Sequence, residues 1–214
     1  MNNLENILKP KSKEEIYKYL NGLSINDLLI KFAEFNYLEG VKNSLEKGAN
    51  IHAENNKALR LAAKKGHKDI VEFLLKHGAD VHAENEEALE YAAINNRKDV
   101  VELLLKYGAN ANANDNKILA WVSTIGYENI VKILLKYSSD INEILRVSSI
   151  NGHKNIVELS LKHGANVHDK EDYSLRWASC FGHKDVVELL LKYGANIHAN
   201  NDEALRLSSE NGYN

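Results

Sequence analysis

The residues of this chain best equipped for chemistry are its histidines, because they recur in register. His52, His82, His168 and His198 each stand two positions after a Gly-Ala-(Asp/Asn) triplet, and His67, His153 and His183 each directly follow a glycine. Imidazoles repeated at a fixed period are candidate metal ligands. A repeated framework, however, places any of its residues in a column, and the sequence sets no carboxylate or thiolate beside these histidines at ligand spacing. The expectation is therefore a structural role, with no metal. Cys180 is the single cysteine. It would serve as a nucleophile only beside a positioned base, and His183 lies three residues on, around a turn; a small side chain at a variable helix position is the expected reading, and no catalytic residue is assigned.

One cysteine excludes an internal disulfide and zinc sites built on several thiolates, which suits a reducing intracellular compartment. There is no Gly-x-x-x-x-Gly-Lys loop and no Gly-x-Gly-x-x-Gly, so no nucleotide or other cofactor is expected. A formal charge of −3 leaves no basic excess to neutralise a phosphate backbone, which disfavours nucleic acid as a partner. No apolar run approaches the roughly 20 residues that cross a bilayer, and the first residues, MNNLENILKPKSKEEIYKYL, lack the apolar core of a signal peptide. The expected location is the host cytoplasm, or the nucleus, with no membrane association.

What positions the histidines is a repeat. The stretch ALRLAAKKGHKDIVEFLLKHGAD, Ala58 to Asp80, returns from Ala88, Ile118, Ile144 and Ser174. The closing triplet Gly48-Ala49-Asn50 recurs at steps of 30, 30, 30, 26 and 30 residues, with Ser138-Ser139-Asp140 standing in once. Each unit reads helix, turn, helix, turn. Asn56, Asn116, Asn142, Asp172 and Asp202 stand where a first helix needs an N-cap. Small pairs such as Ala62-Ala63, Ala92-Ala93 and Ser148-Ser149 let neighbouring helices approach, and Val71, Leu74 and Leu75 place a core stripe on the second helix. Glu72, Glu102, Glu158 and Glu188 each precede a lysine by four residues, an orientation that favours a helix. Trp121 and Trp177 share a slot with Leu61, Tyr91, Val147 and Leu207 that reads as core between repeats.

These blocks, Leu-x-x-Ala-Ala, Gly-His, (Ile/Val)-Val-x-x-Leu-Leu and Gly-Ala-(Asp/Asn), resemble the ankyrin repeat. The resemblance covers about Ser24 to Asn214 and implies an all-α solenoid of stacked antiparallel helix pairs. Units of 30 residues opening Lys-Ala-Leu-Arg, rather than about 33 opening Thr-Pro-Leu-His, imply that the projecting hairpin is clipped to a short loop. Together with the Asn- and Lys-rich composition they resemble the ankyrin proteins of giant DNA viruses that infect amoebae. Residues 1–23 are expected to form a tail and a capping helix (Lys13 to Leu20, opened by a Ser12–Glu15 capping box), and 24–214 an array of about six helix pairs plus a truncated seventh repeat.

The family likeness implies a non-enzymatic protein-interaction scaffold that holds a host or viral protein on its concave helix face. Alternatives are an adaptor reaching ubiquitin-ligase machinery through a separate subunit, and a truncated member without a selected role. In ankyrins the two positions before the Gly-His turn vary with the partner. Here they are Lys64 and Lys65, Ile94 and Asn95, Thr124 and Ile125, Ile150 and Asn151, and Cys180 and Phe181, an apolar stripe with lysines at one end. Further expectations concern irregularities: an Arg60–Glu90 pair between repeats, a soft point where Ser160 replaces a core leucine, and association through the uncapped C-terminal repeat near Leu205 and Leu207.

Overall fold

A computed structural model describes residues 22–137 and 140–213, with the backbone alone at 114 and 115. The expected capping helix lies outside the described residues. Thirteen α-helices and no strand occur among the described residues, and they pack as two compact units, Met1–Asn110 and Ala111–Asn214. The first unit holds α1 (Ile25–Glu34), α2 (Leu38–Glu46), α3 (Ala53–Lys65), α4 (Lys68–Lys76), α5 (Ala83–Ile94) and α6 (Lys98–Lys106). The second holds α7 (Ala113–Ile125), α8 (Glu128–Leu134), α9 (Ile141–Ile150), α10 (Lys154–Lys162), α11 (Asp169–Cys180), α12 (Lys184–Lys192) and α13 (Ala199–Glu210). Within each unit the odd-numbered first helices pack side by side, and each lies against the second helix that follows it, apart from α13. No helix among the described residues is long and apolar enough to cross a membrane.

The packing follows from side-chain size. Ala62, Ala63, Ala92, Ala93, Ser148 and Ser149 are fully enclosed, so first helices meet almost backbone to backbone. Ile70, Val71 and Leu74, with Val100, Val101 and Leu104 one repeat later, seal each second helix against them. Burying one such side chain contributes roughly 1.5–3 kcal/mol. Ser160 occupies the slot of Leu74, Leu104, Leu134 and Leu190 and is equally inaccessible; its hydroxyl donates to Ile156 O at 2.8 Å, so the polar atom is satisfied but the apolar volume is missing.

The short inter-repeat loop is a left-handed turn. Glu54, Asn55 and Asn56 all adopt positive φ (48, 55 and 58°) before the right-handed part of α3 begins. The same turn is formed by 84–86, 170–172 and 200–202. Left-handed geometry costs an L-residue about 1–2 kcal/mol, and two side chains oppose that cost. Arg60 donates from Nε to Asn55 O (3.0 Å) and from Nη2 to Glu54 O (2.9 Å) while pairing with Glu87 of the next repeat. Arg176 repeats the clamp on Glu171 O, Lys170 O and Glu203. The inter-repeat partner of Arg60 is thus Glu87, one turn before Glu90.

The second opposing side chain corrects the expected N-caps. Asn56 Oδ1 accepts Asp80 N–H at 2.9 Å, Asn142 Oδ1 accepts Asn166 N–H at 2.8 Å and Asp172 Oδ1 accepts Asn196 N–H at 2.8 Å, so these three Asx residues tie the start of their repeats to their own closing triplets, 24 residues on, whereas the buried Asn116 Oδ1 makes no such bond. The first histidine column belongs to the same device. His82 Nδ1 meets Glu86 Oε1 at 2.6 Å, His168 meets Asp172 at 3.1 Å and His198 meets Asp202 at 2.6 Å. A carboxylate does therefore accompany these histidines, four residues on, and its work is structural. The short 26-residue step removes the left-handed turn altogether: Asp140 caps α9 directly, accepting Glu143 N–H at 3.0 Å.

Candidate functional site

The two positions before each Gly-His turn end a first helix, where carbonyls lack intrahelical partners. The turn residue of the following repeat supplies them. His67 Nε2 donates to Glu34 O (2.9 Å), Arg97 Nε to Lys64 O (3.3 Å), His153 Nε2 to Thr124 O (2.7 Å) and His183 Nε2 to Ile150 O (2.8 Å). Asn211 Nδ2 likewise reaches Cys180 O at 3.2 Å. The turn column therefore ties the backbone of Thr124 and Ile150 through histidines, that of Lys64 through Arg97 and that of Cys180 through Asn211. With its Nε2–H on Ile150 O, His183 carries its acceptor on Nδ1, which lies against Gly152.

In the second unit these helix ends present an apolar band. Ile125 is 42% exposed and Phe181 46%, with Ile150 and Cys180 half-buried. Thr124 and Asn151 are exposed but bond their own helices, to Ala120 O and Val147 O, both at 2.8 Å. Trp121 is 51% exposed, and Trp177 is half-buried. This corrects the expectation that the tryptophan slot is core. Trp177 stacks on Phe181 (centroids 5.8 Å apart, planes at 28°) and lies 5.8 Å from Tyr173, which makes an aromatic ladder along α11. Arg146 and Arg176, on the same helices, are neutralised by Glu143, Asp169 and Glu203.

The first unit's helix ends are basic instead. Lys64 Nζ sits 4.9 Å from the centroid of Tyr91, Lys65 is exposed, and Ile94 and Asn95 are half-buried, the amide of Asn95 donating to Tyr91 O at 2.8 Å. Burial holds the His67 pKa below its ordinary value, and the charges of Lys65 and Arg97 push it the same way, against the effect of its bond to Glu34 O. Burial opposes ionisation of Glu87, but hydrogen bonds from Tyr91 and Arg60 outweigh it and hold that carboxyl below the usual range.

The ten candidate residues thus divide between two surfaces of different character. Sequence reading missed Trp121, Trp177, Tyr173 and Tyr91 as parts of these surfaces. The signal was present in the spacing: Trp121 precedes Ile125 by four residues, and Tyr173, Trp177 and Phe181 follow at i, i+4 and i+8, one helical stripe. Arg97 was also passed over, because it breaks the Gly-His pattern at Asn96-Arg97. Among the described residues no group of three His, Cys, Asp or Glu side chains is placed to hold a metal ion.

Comparison with known proteins gives two findings. A family model described as ankyrin repeats (3 copies) matches residues 29–115 and 118–201. The crystal structure of the human ASB11 ankyrin repeat domain superposes with a TM-score of 0.70 at 23% identity, over 84% of this chain and 96% of that one. A search of curated proteins returns no match.

Proposed function

Because the chain belongs to the ankyrin-repeat family, we propose that it is a non-enzymatic scaffold whose first-helix face binds a partner protein. The observation that carries the reading is the band in the second unit, where Trp121, Ile125 and Phe181 each leave two-fifths or more of their surface in water. Contiguous exposed apolar surface is costly to maintain unless something covers it, and aromatic anchors dominate the energetics of interfaces. The neutralised arginines beside the band leave an apolar contact with a polar rim, which favours a folded or helical protein surface over a polyanion. The short-repeat likeness to giant-virus ankyrins makes a host or viral protein the partner in this proposal.

The test is affinity capture from infected or host-cell lysate followed by mass spectrometry. The wild-type chain should retain a defined partner that Ile125→Asp/Phe181→Asp and Trp121→Asp lose, with helicity by circular dichroism unchanged. Retention of the same partner by all the variants would remove the band from the binding face.

A further inference from the structure

We propose that the turn end of the first unit docks an acidic protein segment, a reading that rests on the scaffold function above and names the partner chemistry of its basic part. The chain as a whole is acidic, at −3, yet Lys64, Lys65 and Lys68 flank the Gly66-His67 turn and Arg97 and Lys98 stand at the neighbouring Asn96-Arg97 turn. Arg97 brings two of its repeats together: its Nε is 3.3 Å from Lys64 O, and its Cδ lies 2.7 Å from where a Cβ on Gly66 would stand. Beside it opens a groove of about 300 Å³ lined by Gly66, Asn96, Arg97, Lys98, Asp99 and Val100. The nearby carboxylates are Asp69 and Asp99, in the first turns of α4 and α6, Glu102, 4.0 Å from Lys98, Glu34, which pairs with Lys31, Glu72, which pairs with Lys76 and also feels Lys68, and Glu87, which pairs with Arg60 and also feels Lys64. Among the described residues Lys65, Lys68 and Arg97 enter no ion pair. At His67, burial and then the charges of Lys65 and Arg97 oppose protonation.

The comparable groove of the second unit, about 350 Å³ at Gly126 and Gly152, carries Glu128 and Asp185 beside Lys154, and Asn155 donates to Glu128 at 3.1 Å. Equivalent geometry with mixed charge there makes the basic character of the first unit a property of its own residues. Glu54 and Glu84 stand at the far ends of α3 and α5, and Glu87 and Glu90 lie between, Glu87 paired with Arg60, so a long polyanion running along these helices would be repelled. A short run of Asp and Glu, ending before those carboxylates, fits the distribution. Such pairing sets association rate and specificity and weakens with salt.

A fluorescent peptide of alternating aspartate and glutamate, titrated into the full chain at about 50 mM salt and neutral pH, tests this. Binding should weaken about tenfold in Lys64→Glu/Lys65→Glu and as salt is raised. Arg97→His should also weaken it; this variant restores the imidazole of the His67, His153 and His183 column, so the fold keeps its tie to Lys64 O. Lys136→Glu, an exposed charge in the second unit, should bind as wild type. Bound peptide should raise the His67 pKa measured by NMR. Absence of binding, equal loss in Lys136→Glu, an unmoved His67 titration, or recruitment to phosphatidylserine vesicles without peptide binding would each overturn the proposal. The titration does not involve the apolar band, so its failure removes the acidic-segment assignment while lysate capture decides the scaffold reading on its own.

Discussion

Gly152→Ala, set against Gly164→Ala, measures how far the histidine column depends on a bare backbone. Both glycines lie in the second unit at positive φ, 73° and 93°, so both alanines incur the left-handed cost of about 1–2 kcal/mol, partly offset by about 0.4–1 kcal/mol from a stiffer unfolded chain. Their surroundings differ. A Cβ at Gly164 meets nothing within 4 Å, whereas at Gly152 it would lie 2.6 Å from His183 Nδ1 and 2.8 Å from Cε1. The imidazole must move, and its 2.8 Å bond to Ile150 O is lost with it, a further cost of about 0.5–1.5 kcal/mol for the bond plus part of the ring's packing. Gly152→Ala should therefore cost about 1–2 kcal/mol more than Gly164→Ala, in urea unfolding followed by tryptophan fluorescence. Coincident unfolding midpoints for the two variants would refute the argument that the imidazole sits on the glycine face.

Three other outcomes are expected. Ser160→Leu fills a slot that four other repeats fill with leucine and should raise the melting temperature, the gain of about 1–3 kcal/mol being reduced if neighbouring side chains have already closed in; an unchanged melting curve would count against a soft point. Asp172→Ala removes a buried acceptor shared by Asn196 N–H and His168 and should cost about 1.5–3 kcal/mol, while Asp172→Asn, which copies Asn56, should cost clearly less; equal urea midpoints would refute the tie. For pH, the hydrogen bond to Glu86 raises His82 above about 6.5, so its contribution is full below that value and is lost as pH rises through the folded pKa, whereas the lowered His67 contributes fully above about 6.5 and loses stability as pH falls toward its folded pKa. Thermal melts across this range should peak near neutrality, with His82→Gln flattening the alkaline side and His67→Gln the acid side.

The helices were legible because their signals are local: an amphipathic period, small pairs and a glycine closure lie within a few residues of one another. The three-residue left-handed turn was not. Asn55, Asn56 and Asp172 tolerate positive φ, but Glu54, Lys170 and Glu171 have no such preference and are held there by carbonyl contacts to Arg60 and Arg176, beside a tie reaching 24 residues along the chain. Periodicity identifies the Asx column without saying what it bonds, and N-capping was the nearest local guess. Trp121 illustrates the opposite failure. Its slot is shallow enough that Leu61, Val147 and Trp177 are only half-buried there, and Trp121 stands further out still, so register alone wrongly assigned a projecting ring to the core.

Framework and recognition are coupled through the same atoms. The residue that projects at each helix end, whether Lys64, Thr124, Ile150 or Cys180, offers its carbonyl to the next repeat, so the inter-repeat tie is made through the backbone and does not depend on which side chain stands there. Substituting a side chain there changes the surface at little structural cost, whereas substituting the histidine behind it displaces the surface without touching it. Arg97 is the position where the two roles merge: it performs the histidine's tie to Lys64 O and adds a charge that imidazole lacks at neutral pH. A framework residue that departs from its column while keeping the column's hydrogen bond is therefore a place to look for recognition, and in the first unit it lies beside the lysines.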